Sequence, residues 1–166
     1  MDFRGAAFSG GLVDFGYATL TDGHINFGQA ELSGGVINFE RAELSGGLVN
    51  FVDAELSGGV VDFGQAELSG GLVNFVNATL SGGQVSFVNA KLTDGEINFG
   101  GTTFANGKVD FGLAWFSGTD VHFRRATFSG GQVGFATPMA WERPPTGIPT
   151  DAGGRPPAGV SLPEPS

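Results

Sequence analysis

The sequence predicts an all-β, single-domain β-solenoid. Three observations carry that prediction: a 12-residue repeat without insertion or deletion, apolar residues paired two apart in each copy, and glycine-rich turns between the pairs. Complete units begin at Asp2, Asp14, Asn26, Asn38, Asn50, Asp62, Asn74, Ser86, Asn98, Asp110 and His122, so eleven 12-residue repeats cover 2–133. A twelfth starts at Gly134-Phe135 and dissolves. The consensus is [DN]-F-x-x-A-x-[LF]-[ST]-[GDN]-G-x-[VI], with places counted from its first residue. A short fixed period marks an architecture of stacked copies.

The first strand of the unit runs across the unit boundary. The closing Val or Ile and the next Phe lie two apart, as in Val49-Asn50-Phe51. The second strand is carried by Ala and Leu, also two apart, as in Ala30-Glu31-Leu32. Each pair places two side chains on one face of a strand and the middle residue on the other. A helix is excluded, because Phe and Leu five apart make no helical stripe and paired glycines would melt one. The turn between the strands reads Gly-Gly in most units, with Asp22-Gly23, Asp94-Gly95 and Asn106-Gly107 as variants, which suits backbone at positive φ. Ser117-Gly118-Thr119-Asp120 departs from that pattern, so its turn must change shape.

Two strands and two corners per unit suit parallel coils spaced ~4.8 Å apart; eleven coils of 12 residues would make a rod roughly 53 Å long. Stacked coils would then align Phe on Phe, Leu on Leu and Val on Val. Two geometries stay open: a 12-residue coil with two sides, in which Phe faces Ala, or a 24-residue coil with four. The alternative fold is an antiparallel β-meander, since Asn-Gly and Asp-Gly are also hairpin signals. One unit alone buries too little to offset its ordering entropy, so stacking is obligatory.

Composition narrows the function classes. The chain has 166 residues with 30 Gly, 16 Phe, one Tyr, two Trp and no Cys. A hydrophobic share of 40% argues against a polar disordered chain. The absence of cysteine excludes disulfides, thiolate zinc sites and cysteine nucleophiles. A net charge of −9 argues against direct nucleic-acid binding. No long apolar run or signal-peptide pattern is evident, so no membrane association and a cytoplasmic location are expected. All eight prolines lie at or beyond Pro138, outside the repeats, as a hydrogen-bonded ladder requires.

The segments Ala30-Glu31-Leu32-Ser33-Gly34 and Ala42-Glu43-Leu44-Ser45-Gly46 resemble pentapeptide-repeat units, whose pattern is A-[DN]-[LF]-x-x. Val49-Asn50-Phe51 is similar, with Val in the small-residue place. The resemblance extends over 2–133 and implies a right-handed, four-sided β-helix. The chain departs from it by two extra residues in every ten. Some members of that family look like acidic DNA mimics that bind topoisomerases, which implies a protein partner.

The outward sixth place reads Glu31, Glu43, Glu55, Glu67, Thr79 and Lys91. In a 12-residue coil the four carboxylates would form one ladder at ~4.8 Å. Its plainest role is to solvate a Phe-rich rod, and its functional role is to attract a basic partner. Arg124 and Arg125 are candidate contact residues, weighed against an ordinary exposed pair. First-place Asn and Asp are expected to brace the coils with side-chain hydrogen bonds. Thr19, Thr79, Thr103 and Thr127 make no continuous row at a period of 12, which argues against an ice-binding face.

No catalytic constellation, cofactor fingerprint or metal signature is found: His24 and His122 stand alone, and the serines are recurring turn residues. The expected function is a non-enzymatic scaffold binding a protein partner through an acidic repetitive surface, a role the resemblance extends to DNA mimicry. The alternative is a structural protein that self-assembles end to end or through exposed sheet edges. The repeat domain is expected over 2–141, with Met139 and Trp141 capping its last coil. A disordered Pro/Gly-rich tail is expected over 142–166.

Overall fold

The computed structural model describes residues 1–163 and contains strands and turns without any helix among them. All strand pairs are parallel, and their partners lie 24 residues apart along the repeats: Thr19↔Glu43, His24↔Leu48, Glu31↔Glu55 and Val36↔Val60. The fold is therefore a β-solenoid of about 6 turns. Parallel pairing overturns the meander. The 24-residue register replaces eleven 12-residue coils by half as many, so the rod is roughly 29 Å long instead of 53 Å. One unit has two sides and two corners, which carries the chain only halfway around; two units close the coil.

The four sides follow in order along the second and third coils. Strands at Glu31–Leu32, Val36–Asn38, Glu43–Leu44 and Leu48–Asn50 stack under Glu55–Leu56, Val60–Asp62, Glu67–Leu68 and Leu72–Asn74. In Ala7–Asp14, Glu31–Asn38, Glu67–Asn74 and Lys91–Asn98 the strand runs on through the corner, Ser-Gly-Gly in the first three and Thr93-Asp94-Gly95 in the last, so adjacent sides merge into one sheet.

The Phe-x-x-Ala corner is a hydrogen-bonded turn. The fifth-place N–H donates to the second-place carbonyl at 2.9–3.1 Å in every unit, from Ala6→Phe3 to Ala126→Phe123. Its fourth place has positive φ in all eleven units, including Tyr17 (60°), Gln29 (59°), Leu113 (58°) and Arg125 (63°). That is what a type II turn requires of its third residue. Even Thr137 of the unfinished unit keeps it, at 44°. First-place Asn and Asp anchor the turn: the Asn26 Oδ1 accepts the Gly28 N–H at 3.0 Å, and Asp62 does the same for Gly64 at 2.8 Å. Between coils, the Asn50 amide donates to Asn26 Oδ1 at 2.9 Å, which is the expected bracing.

The Ser-Gly-Gly corner owes its first glycine to crowding more than to φ. A Cβ on Gly46 would lie 2.0 Å from the Thr21 carbonyl of the coil below, and one on Gly118 would lie 1.7 Å from that of Thr93. Asp22, Asp94 and Asn106 occupy the same place in other units, so crowding demands glycine only where the carbonyl below comes this close. At the departing corner, the N–H groups of Ser117, Gly118 and Thr119 all donate to the Leu92 carbonyl.

The interior is dry and layered. The second-place Phe residues form two columns of six: Phe3, 27, 51, 75, 99 and 123, and Phe15, 39, 63, 87, 111 and 135. Within a column, centroids such as Phe51 and Phe75 lie 4.8 Å apart with planes 3° from parallel. The columns meet edge-on, as at Phe123 and Phe135 (6.1 Å, 89°), so Phe faces Phe across the coil and the two-sided pairing with Ala does not occur. Thr102 and Thr119 are the buried polar residues among those described; their hydroxyls donate to the carbonyls of Phe75 and Asp94.

The two ends differ. Ala140–Trp141 pairs with Trp115–Phe116, and Trp141 lies against Phe116 at 4.9 Å. Met139 stays exposed and caps nothing. Beyond Glu142, where composition predicts a disordered tail, the chain up to residue 163 packs on the last coil. Thr146 bridges to His122, Ile148 joins the core, and Val160–Ser161 pairs with Val133–Gly134. Val160 and Ile148 cover apolar surface of the final coil, and Pro144, Pro145, Pro149, Pro156 and Pro157 lie outside strands between Trp141 and Val160. Residues 164–166 lie outside the described part of that tail. At the other end Ala7–Asp14 has a strand neighbour on one side only, and Met1, Leu12 and Tyr17 are exposed.

Candidate functional site

Closure after two units redistributes every outward residue. The four sixth-place carboxylates do not form one ladder. Glu31 lies beside Glu55 on one side, and Glu43 beside Glu67 half a coil away. The first pair continues into Thr79, Thr103 and Thr127; the second continues into Lys91 and Trp115. Three threonines are thus consecutive after all, with Thr127 and Thr103 hydroxyls 3.3 Å apart, in a single row of three. Lys91 Nζ lies 3.4 Å from Glu67 Oε2, so the second pair has a cation. Glu31, Glu43 and Glu55 are exposed and have no ion-pair partner among the described residues.

Arg124 and Arg125 belong to a different part of the surface. They occupy the corner between Phe123 and Ala126, one coil above Gly100 and Gly101 and two above Val76 and Asn77. These residues, with Asn98 and His122, line a hollow of about 370 Å³. Neither arginine side chain makes a hydrogen bond or ion pair among the described residues. Beside the hollow, His122 Nε2 lies 2.8 Å from Glu96 Oε1, which also accepts from the Asn98 amide at 3.0 Å. Arg143 neutralises Asp120 at 2.6 Å. The sequence reading left His122 alone. Its partner lies 26 residues away, a separation that means contact only once the coil is known to hold 24.

On the next side, Asp110 is held by Lys108, whose Nζ lies 2.8 Å from its carboxylate. Burial pushes the Asp110 carboxyl up, but the hydrogen bond from Lys108, the Gly112 N–H and the ammonium charge together outweigh it and hold the group below its ordinary value. Among the described residues no group of three or more His, Cys, Asp or Glu is placed to hold a metal ion. No helix there is long and apolar enough to cross a membrane.

In comparison with known proteins, no family model, curated protein or solved structure matches the chain significantly. What the structure establishes is a parallel repeat β-solenoid of about 6 turns.

Proposed function

We propose that this solenoid is a non-enzymatic, pentapeptide-repeat-like scaffold that binds a basic partner protein through its acidic sides. The observation that carries the reading is the uncompensated pair Glu31 and Glu55, set on adjacent strands of one side with no cation beside them. A hydrogen-bonded coil holds the backbone of such residues at fixed spacing, so both charges stay on one side. Fixed charge of one sign steers a partner of the other and sets its orientation more than it adds raw affinity. The resemblance of the Ala-x-Leu segments to pentapeptide repeats supports the same class, since both apolar residues of each segment point inward here. It extends the reading to acidic mimicry of DNA.

The test is titration of a fluorescent octalysine peptide into wild type, Glu31→Lys/Glu55→Lys, and a control of equal charge change, Asp22→Lys/Asp151→Lys. The side-specific variant is expected to lose about tenfold in affinity and the control far less. Equal losses would show a diffuse charge effect and sink the assignment to this side. Inhibition of topoisomerase supercoiling tests the mimicry directly.

A second reading is favoured by the N-terminal end. The strand Ala7–Asp14 is paired on one side only, and Leu12 and Tyr17 are 62% and 68% exposed. An open strand edge is a template for a second copy. At the other end the C-terminal segment pairs with the Trp115–Phe116 and Gln132–Gly134 strands, so the more open N-terminal end favours a head-to-head pair. Light scattering that finds only monomer at millimolar concentration would exclude it.

A further inference from the structure

We infer that the hollow over Gly100 and Gly101 is a binding site for a small oxyanion, a phosphoryl or carboxylate group held by Arg124 and Arg125. This goes beyond the acidic-side reading and concerns a surface of opposite charge.

Three features converge there. The first is charge in excess of need. Arg41, Lys91, Lys108 and Arg143 each lie within 4.0 Å of a carboxylate. Arg4, Arg155, Arg124 and Arg125 do not, but Arg124 and Arg125 are adjacent in the chain and together line one hollow. Arg124 also lines a neighbouring hollow with Glu96 and Asp120, but those carboxylates bond His122 and Asn98, and Arg143. Neither guanidinium of the pair therefore has a direct ion-pair partner among the described residues, in a chain of net charge −9.

The second is space. Every other such corner carries a side chain at the third place, the fourth, or both, as Gly112-Leu113 and Val76-Asn77 do. This corner carries Gly100-Gly101, which opens a notch between the Asn77 and Arg125 corners. A Cβ on Gly101 would meet the Asn77 side-chain oxygen at 2.5 Å, so that amide leans over the notch from the coil below.

The third is rigidity. The Arg124 carbonyl accepts the Gly101 N–H at 2.9 Å, and the Ala126 N–H closes the turn onto Phe123 at 2.9 Å. The two arginines thus spring from a backbone corner fixed on the coil below, which sets where both side chains begin. Planar guanidinium forks match the paired oxygens of phosphate and carboxylate. A hollow of about 370 Å³ has room for such a group with a small attached body. The overall negative charge disfavours a long polyanion such as nucleic acid.

The experiment is isothermal titration of inorganic phosphate, pyrophosphate and succinate into the full chain and two variants. Arg124→Gln/Arg125→Gln removes the charge. Gly101→Asn fills the notch and keeps both arginines; Asn already occupies this corner place at Asn77 and Asn89, so the fold is expected to survive. Wild type is expected to bind at least one probe with a Kd of about 1 mM or below, weakened about tenfold or more by the arginine variant and by at least about threefold by Gly101→Asn. Tighter binding of the phosphates assigns a phosphoryl ligand, and tighter binding of succinate a carboxylate. No heat at about 10 mM of any probe would overturn the inference. So would an arginine variant that binds like wild type, or a Gly101→Asn variant that does, since the arginines would then act as ordinary surface charge. Unchanged urea midpoints exclude loss of fold as the cause.

Discussion

Arg125, Leu113 and Tyr17 sit where backbone conformation costs most. A side chain at positive φ suffers a clash that Gly and Asn avoid, worth roughly 1–2 kcal/mol in the left-handed helical region. Leu113 has φ 58° and is 39% exposed, so little packing repays it. Leu113→Asn is expected to raise stability by roughly 0.5 kcal/mol, read as a higher urea midpoint at unchanged slope. Asp110 gives a pH-dependent case. Its folded pKa lies below the unfolded value, so its contribution is present above the unfolded pKa and fades as pH falls through the folded one. Asp110→Asn keeps the acceptor for the Gly112 N–H and loses the charge. Wild type is expected to be the more stable at pH 7, with the gap closing below about pH 4; a gap independent of pH would refute the pairing with Lys108.

The coil is the unit that packs. Phe75 lies fully buried between Phe51 and Phe99. Phe75→Ala is expected to cost about 3–5 kcal/mol, since neighbours held by coil-to-coil hydrogen bonds cannot collapse into the gap. Phe3→Ala, at the half-exposed end of the same column, is expected to cost less than half as much, by the same denaturation measurement. Because each coil contacts only its neighbours, removing one whole coil leaves the pattern intact. Deleting residues 50–73 joins Val49 to Asn74 in register. The product is expected to fold cooperatively with a rod shorter by ~4.8 Å, visible in X-ray scattering.

For the whole molecule the two ends decide behaviour. The segment from Thr137 onward covers Phe116, Phe135 and Val133 with Trp141 and Val160. A chain ending at Ala136 is expected to expose a second apolar end and to form species larger than a dimer at concentrations where the full chain does not. Sedimentation velocity would separate the two outcomes.

Much of this was legible from residues alone. Phe at every second place, Ala and Leu two apart, and proline confined to the end declared a hydrogen-bonded stack of short strands with an apolar interior. The first-place Asn and Asp were legible as braces. The fourth-place turn was not, because Gln, Arg, Asp, Tyr and Leu all occur there and hide a conformation imposed by the hydrogen bond around them. The order in the segment after Glu142 was hidden too, since Val160 and Ile148 are lone apolar residues among prolines and earn their place only by what lies beneath them.

The half-coil, its inward residues and its corners follow from local pattern, which a period of 12 specifies completely. Which outward residues are neighbours does not follow, because a 12-residue period fits a coil of one unit or of two equally well. Only the geometry of closure, two sides per unit and four to come around, chose between them. That choice parted Glu31 from Glu43, brought His122 to Glu96, and placed Arg124 and Arg125 above the gap left by Gly100 and Gly101.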